Sequence, residues 1–172
     1  MDREQYRFLF ILARIIKNKQ GEINEKGLAF YHKILDCCHE NGIEPFVTIY
    51  HWDLPQYWEE TGGWLNEEVC TAFAQYAKVC FQNFHTKIRK WVTFNEPKWF
   101  VCSGYLIGNY PPCIQDVSKT IKAAYHVMYA SALGIKEFRE GGYEGEIGIV
   151  HSFTPVNGVD DRIETKIAMR YA

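Results

Sequence analysis

The sequence predicts an α/β fold in which about four parallel strands are covered by helices. Short apolar runs alternate along the chain with longer segments whose apolar residues recur every three or four positions. The short runs are apolar throughout rather than at alternate positions, which is typical of strands buried on both faces of a parallel sheet. Polar side chains follow the later runs, at the strand ends where parallel-sheet proteins place their functional groups.

The first part of the chain predicts two strands with a helix between them. Tyr6–Leu12 is a continuous apolar run and predicts the first strand. Glu25–Asn41 has apolar residues at helical spacing, and Gly42 follows as a helix stop. The predicted core face of this helix comprises Leu28, Tyr31, Leu35 and Cys38. Glu44–Tyr50 then predicts a buried second strand.

The second helix is expected to begin near Asn66, which is a favourable N-cap residue. Glu67 and Glu68 would lie in its first turn, where negative charge stabilises the helix dipole. Its predicted core stripe comprises Val69, Phe73, Tyr76, Ala77, Cys80 and Phe84. Trp91–Asn95 follows as the third predicted strand.

The remaining elements are a long helix, a strand and a final helix. The long helix is predicted over Ser118–Glu140, and Glu146–Val150 is the fourth strand. The predicted apolar face of the long helix comprises Ile121, Tyr125, Met128, Ala132 and Ile135. A last helix is expected from Asp160 to Ala172. This order fits an open doubly wound sheet as well as a (β/α)8 barrel.

Composition excludes several functions. The 19 Lys and Arg residues nearly balance the 21 Asp and Glu residues, so we expect no nucleic-acid partner. No apolar run approaches the ~20 residues of a membrane span, so we expect no membrane insertion. The six cysteines contain no CxxC pair, which favours reduced thiols and a cytoplasmic location. No glycine-rich phosphate loop or metal-ligand spacing occurs, so we expect no cofactor and no metal.

Three predicted strands end in polar residues. The second is followed by His51, Trp52 and Asp53, the third ends in Asn95 and Glu96, and the fourth is followed by His151. An aromatic rim with amide, imidazole and carboxylate groups suits a neutral polyhydroxylated ligand such as a sugar. A partly desolvated carboxyl group holds its proton more readily, which suits a general acid. Pairing with a neighbouring Lys or Arg is the alternative explanation for Glu96.

Several segments resemble glycoside hydrolase family 1, the β-glucosidase and 6-phospho-β-glucosidase family. They are the sequence TFNEP at Thr93–Pro97, together with Gly21–Asp36, Gly42–Trp58, Gly62–Glu68 and Glu144–Gly158. The resemblance implies a (β/α)8 barrel that hydrolyses β-glucosides, or their 6-phosphates, with retention of configuration. It implies a glycosyl-enzyme intermediate and no metal.

The resemblance also implies site residues. Glu96 would be the general acid/base, and Asn95 would hold the sugar hydroxyl beside the bond being broken. His51 would bond other hydroxyls of the same ring, and Trp52 would wall that subsite. Arg7 would lie beside the catalytic nucleophile.

Four further residues have less direct assignments. Trp99 and Tyr105 would line the leaving-group side, and Asp53 would have a structural role, bonding local backbone at the strand end. His151 could either contact the site or lie outside it.

The chain departs from the family pattern in two ways. Leu9 and Leu12 stand where the family has Ser and Trp, which predicts a disturbed wall around Arg7. The match also covers only the second to fifth strands, whereas a complete barrel takes about 250 residues. We therefore expect residues 1–172 to form a single partial barrel domain that lacks the first strand and the C-terminal half.

A partial barrel would lack the second carboxylate that a retaining glycosidase needs. Glu44 and Glu146 open their strands and would lie at the wrong end of the sheet. We therefore expect little or no turnover from this chain alone. The alternative is a non-catalytic, sugar-binding or self-associating half-barrel, because open sheet edges favour association.

Overall fold

The computed structural model describes residues 4–153, 155 and 157–170, and its centre is a sheet of four parallel strands. These strands are β1 (Gln5–Leu9), β2 (Glu44–Tyr50), β3 (Lys90–Asn95) and β4 (Glu146–Val150). They lie side by side in chain order, β1-β2-β3-β4. A doubly wound sheet would reverse its order at a switch point, whereas a barrel keeps chain order throughout. The described strands therefore have the arrangement of half a (β/α)8 barrel.

Helices occupy the intervals between the strands. They are α1 (Leu12–Ile15), α2 (Glu25–Glu40), α3 (Gln56–Glu59), α4 (Glu68–Phe84), α5 (Pro97–Val101), α6 (Val117–Glu140) and α7 (Ile163–Met169). A 3-10 turn at Gly63–Leu65 precedes α4, and a π-helical segment at Cys102–Ile107 continues α5. No helix in the described part of the chain is long and apolar enough to cross a membrane.

The first strand is shorter than the predicted run Tyr6–Leu12. It ends at Leu9, and Leu12 instead opens the short helix α1. The chain leaves the sheet where the Ile11 amide donates to the Tyr31 hydroxyl at 2.8 Å. An apolar run does not by itself distinguish a buried strand from a buried helical turn, and here it contains both.

The predicted core faces of α2 and α4 are confirmed. All four predicted residues of α2 and all six of α4 are buried. The prediction that α4 starts near Asn66 is also close, because Asn66 Oδ1 accepts a hydrogen bond from the Glu68 amide at 3.0 Å. Two of the six cysteines, Cys38 and Cys80, lie on these faces, and all six are free thiols.

The predicted core face of α6 is wrong. Ile121 and Tyr125 are both 66% exposed, and Met128 is 47% exposed. The buried face comprises Ala123, His126, Val127, Ala130, Ser131, Gly134 and Phe138. Small residues let α6 approach α4 closely, so the bulky apolar stripe that dominates the sequence pattern points to solvent in this chain.

The last helix is shorter than predicted. It covers Ile163–Met169 rather than starting at Asp160, and Ala172 lies outside the described residues. Asp160 precedes the helix and accepts a hydrogen bond from the Thr165 hydroxyl at 2.6 Å. No residue of α7 is buried in the described structure, so this helix adds little to the core.

An aromatic cluster fills the core beneath the C-terminal ends of β2 and β3. Phe94 is fully buried and stacks on Phe73 of α4, with ring centroids 4.5 Å apart. Tyr50 and Trp64 contact the same ring at 5.1 and 5.5 Å. The Trp64 indole donates to the Tyr50 hydroxyl at 3.1 Å, so the polar atoms of the cluster are paired. This packing fixes the strand ends that carry the candidate site.

Candidate active site

Three neighbouring strands contribute one polar side chain each to a single network. The Arg7 guanidinium of β1 donates through Nε to Thr48 Oγ1 of β2 at 3.0 Å. It also donates through Nη2 to Asn95 Oδ1 of β3 at 2.7 Å. Because side chains of three strands meet here, this network lies on one face of the sheet. Arg7 makes both bonds in the presence of Leu9 and Leu12. The disturbed wall expected around Arg7 remains a prediction.

His51 joins this network through Asn95. Since Arg7 donates to the side-chain oxygen Oδ1 of Asn95, the side-chain amide nitrogen Nδ2 faces His51 Nε2 at 3.3 Å. An amide N–H needs an acceptor, so the neutral imidazole carries its proton on Nδ1. Burial and the positive charge of Arg7 lower the pKa of His51, against the opposing effect of the Glu96 carboxylate. His51 is therefore neutral at neutral pH, with Nδ1–H available as a donor.

Trp52 has an uncommon backbone conformation, with a φ of 79°. A bulky residue in the left-handed region is strained and needs support from its surroundings. Its indole N–H donates to the Asn95 carbonyl at 2.8 Å, and its own carbonyl accepts from the Tyr110 hydroxyl at 3.1 Å. These bonds hold the indole beside the end of β3.

Glu96 follows β3 directly and precedes α5. Its backbone also lies in the left-handed region, at φ 47° and ψ 57°, and Pro97 opens the helix. Its amide donates to the Val150 carbonyl of β4 at 2.8 Å, which fixes the peptide at the sheet end. The side chain is partly buried, and its negative charge acts on His51. The structure thus brings Glu96 to the same strand ends as His51 and Asn95.

A bulge in β3 sets the direction of Asn95. The pairing of β3 with β4 shifts register between Val92 and Asn95. Thr93 bonds Ser131 of α6 at 2.7 Å, and the next residue, Phe94, also packs toward a helix. Regular alternation would then direct Asn95 toward the helices. The extra residue instead turns Asn95 toward Arg7, as bulges beside functional sites commonly do.

Other candidate residues lie in different places. Trp99 is 41% exposed on α5. Tyr105 is 1% exposed, and its hydroxyl accepts from the Trp64 amide at 3.3 Å, so it belongs to the core. His151 borders an apolar groove between α5 and α6, together with Pro97 and Lys98. Tyr105 and His151 have no hydrogen bond to the Arg7 network within the described residues.

Two residues of the site were not anticipated from the sequence. Thr48 lies two residues before Tyr50 in β2, and nothing in the sequence distinguishes it from an ordinary strand residue. Tyr110 is 58 positions from Trp52 and lies in a loop without regular structure. Residue spacing gives no signal for either contact, because both arise from strand register and loop packing.

Asp53 and Trp52 both line a cavity of about 220 Å³. Its Oδ1 atom is buried and has no hydrogen-bond partner among the described residues. Burial raises the pKa of Asp53 to about 6, although the backbone amides of Asp53 and His51 moderate the effect. Glu59 lines the same cavity, and burial raises its pKa as well. Above about pH 6, where Asp53 is ionised, its burial therefore lowers the stability of the folded chain.

Replacing Asp53 with Asn should stabilise the fold at neutral pH. The folded-state pKa is raised, so the folded state binds more protons and unfolding becomes easier as pH rises from about 4 to about 6. At pH 7.5 we expect Asp53→Asn to raise the free energy of unfolding by roughly 1–3 kcal/mol, and to have a smaller effect at pH 4. Urea unfolding at both pH values measures this difference. Asp161→Asn is the control, because the Asp161 side chain is exposed. An equal gain at both pH values in Asp53→Asn would contradict the raised pKa of Asp53.

Among the described residues, Glu96 is the carboxylate whose charge acts on the His51 imidazole. Glu44 lies at the opposite end of β2 and pairs with Lys90 at 3.0 Å, and Glu146 opens β4. Within the described residues, no group of three or more His, Cys, Asp or Glu side chains could hold a metal ion. The arrangement can therefore bond sugar hydroxyls and move a proton at Glu96.

A family model decides the classification. The model described as glycosyl hydrolase family 1 matches residues 1–170. The chain belongs to glycosyl hydrolase family 1. The implied fold is confirmed by solved members of the family, which are barrels of the same architecture.

Relatives of this family 1 chain include two kinds of bacterial enzyme. Beta-glucosidase A of Thermotoga maritima is 40% identical over 161 residues, covering 92% of this chain and 36% of the relative. A 6-phospho-beta-galactosidase of Clostridium acetobutylicum is 39% identical over 157 residues, covering 91% and 33%. The solved structure of a Thermotoga maritima beta-glucosidase with glucoimidazole superposes with a TM-score of 0.92 at 39% identity, over 98% of this chain and 38% of that one. This family 1 chain thus spans about a third of the relatives' length.

Proposed function

We propose that this chain is the sugar-binding and proton-donating part of a retaining β-glycosidase. The observation that carries the proposal is the network joining Arg7, Asn95 and His51, with Glu96 at the same strand ends. The network presents hydroxyl-bonding groups, and the Glu96 carboxyl group would serve as the proton donor beside it. A second carboxylate opposite Glu96 would complete the pair that a glycosidase needs.

Each residue has a specific role in this proposal. Glu96 protonates the glycosidic oxygen as the bond breaks and then removes a proton from the attacking water. Asn95 bonds the hydroxyl beside the anomeric carbon, and its side chain is held for this by Arg7. His51 donates Nδ1–H to another hydroxyl of the same ring, and the Trp52 indole packs against the ring.

The second carboxylate would come from a segment outside residues 1–172. A retaining enzyme places its nucleophile about 5–5.5 Å from the acid/base, and Glu44 and Glu146 lie at the far end of the sheet. Arg7 would lie beside this nucleophile and stabilise its charge. We propose that residues 1–172 are one partial barrel domain, lacking the first strand and the C-terminal half, with little or no turnover by itself.

The proposed substrates are β-linked glucosides or their 6-phosphates, and we propose a cytoplasmic setting. Support comes from the relatives, which include a beta-glucosidase and a 6-phospho-beta-galactosidase at nearly equal identity. The six free thiols agree with a reducing compartment. The hydroxyl-bonding groups of the network suit a glucoside and its 6-phosphate equally, because the proposal assigns none of them to binding a phosphate group.

A binding and turnover experiment on the purified chain tests this proposal. We expect glucoimidazole to bind measurably by calorimetry and Asn95→Ala to weaken that binding. We expect no hydrolysis of 4-nitrophenyl β-glucoside, because the nucleophile is lacking. Absence of binding would contradict the sugar site, and hydrolysis abolished by Glu96→Gln would contradict the missing nucleophile. Glu146→Gln, at the far end of the sheet, is the matched carboxylate control.

A second candidate function is a non-catalytic half-barrel that binds sugar or associates with itself. Exposed apolar side chains near both edges of the sheet favour it. They are Tyr6 of β1, Phe30 of α2, and Ile121, Tyr125 and Met128 of α6. Size-exclusion chromatography with light scattering distinguishes the two. A mass above the chain's 20.1 kDa that Ile121→Glu lowers would support association, and a monomer at all concentrations would contradict it.

A further inference from the structure

The loop after β2 carries two residues of the proposed sugar site on a strained backbone. Trp52 has a φ of 79°, a conformation that costs roughly 1–3 kcal/mol for a bulky residue. His51 precedes it, so the position of the imidazole depends on the same peptide geometry. Contacts from elsewhere in the chain must therefore hold this loop in place.

Two hydrogen bonds restrain Trp52. Its indole N–H donates to the Asn95 carbonyl at 2.8 Å, which ties the side chain to β3. The Tyr110 hydroxyl donates to the Trp52 carbonyl at 3.1 Å, which ties down the peptide itself. The Tyr110 ring also contacts the indole edge to face, with centroids 5.7 Å apart.

Tyr110 is itself anchored independently of β2 and β3. Its amide and that of Asn109 donate to the Ser103 carbonyl at 3.3 and 3.1 Å. Its carbonyl accepts from the Cys113 amide at 2.8 Å. The Tyr110 hydroxyl therefore reaches Trp52 from a loop that is fixed to the π-helical segment. The position of Tyr110 does not depend on that of Trp52.

We propose that Tyr110 is a positioning residue for the sugar site, acting through the Trp52 peptide. This inference rests on the proposed function of the site. The Tyr110 hydroxyl holds the Trp52 carbonyl and so maintains the left-handed backbone, which directs the indole to Asn95 and places His51 beside the Asn95 amide. Loss of the hydroxyl loosens Trp52 and weakens sugar binding without removing any group that contacts the sugar.

The chain offers a matched control for the loss of a tyrosine hydroxyl. Tyr57 is partly buried, and its hydroxyl donates to the Ile16 carbonyl at 3.1 Å, the same bond type and length as that of Tyr110. Its acceptor lies between β1 and α2, away from the Arg7 network. Tyr57→Phe therefore removes an equivalent hydrogen bond and leaves Trp52 untouched.

The test combines an NMR measurement with a binding measurement on the full 172-residue chain. The chain contains five tryptophans, so a ¹⁵N spectrum has five indole N–H signals, and Trp52→Phe assigns that of Trp52. In Tyr110→Phe we expect the Trp52 indole to exchange with water roughly 3- to 10-fold faster, the range for loss of one hydrogen bond, with the other four unchanged. We expect the affinity for glucoimidazole to fall by a similar factor. Tyr57→Phe should alter neither quantity.

The outcomes separate this inference from the proposed function. Unchanged exchange of the Trp52 indole in Tyr110→Phe would overturn the positioning role, as would the same acceleration in Tyr57→Phe. Faster exchange with unchanged affinity would also overturn it. If the unmodified chain binds no glucoimidazole, the proposed sugar site fails, and the exchange measurement still decides whether Tyr110 holds Trp52.

Discussion

Glu96→Gln is expected to lower kcat/KM by two to four orders of magnitude in a completed barrel, the usual contribution of a general acid/base. The completed barrel would carry residues 4–153 of this chain in place of the equivalent segment of Thermotoga maritima beta-glucosidase. The two backbones superpose with a TM-score of 0.92, so the exchange keeps the strand ends in register. The reason for the loss is that glutamine keeps the size of Glu96 and cannot transfer a proton.

Hydrolysis of an alkyl β-glucoside, measured as released glucose, quantifies this effect, because its strongly basic leaving oxygen depends on the proton of the general acid. Glu146→Gln is the matched control, because it removes a carboxylate from the opening residue of β4 at the far end of the sheet. We expect its kcat/KM to equal that of the unmodified hybrid. A loss of less than about tenfold in Glu96→Gln would show that Glu96 does not supply the proton.

The second large effect is on stability. Phe94→Ala should lower the free energy of unfolding by about 3–5 kcal/mol, the range for truncating a buried aromatic ring. Phe94 is fully buried and contacts Phe73, Tyr50 and Trp64, so its removal leaves a cavity that these rings cannot close. Such a loss is a large fraction of the 5–15 kcal/mol typical of a whole domain.

Urea unfolding followed by tryptophan fluorescence measures this loss. Tyr125→Ala is the control, because Tyr125 is 66% exposed and its removal should change stability by less than about 0.5 kcal/mol. If Phe94→Ala does not fold, Phe94→Leu keeps most of the volume and should still be destabilised by roughly 1 kcal/mol or more. Equal effects of the Phe94 and Tyr125 variants would contradict the described core.

The sequence pattern predicted the parallel sheet and two helix faces because these depend on local periodicity. The stripes on α2 and α4 are apolar where the helix meets the sheet, and burial follows directly from spacing. The face of α6 was mispredicted for a physical reason. Its buried face includes the small residues Ala123, Ala130 and Gly134, and Gly134 lies against Phe73 and Ala77 of α4. Hydrophobic spacing gives such small residues little weight.

The candidate site was predictable in its residue types but not in its connections. Asn95, Glu96 and His51 stand at strand ends, so their meeting follows from a parallel sheet. The β3 bulge that turns Asn95 toward Arg7 leaves no mark in the sequence, since Val92–Asn95 reads as an unbroken strand. The contact of Tyr110 with Trp52 depends on a loop whose path no local pattern determines.

The dependence of the Glu96→Gln effect on the leaving group tests the central claim most directly. A general acid matters most when the departing oxygen is strongly basic and least when it leaves readily as an anion. In the hybrid barrel, we predict a large loss of kcat/KM for an alkyl β-glucoside and a small one for 2,4-dinitrophenyl β-glucoside. Equal losses for the two substrates would contradict the account, because they would show that Glu96 supports the structure of the site rather than delivering a proton.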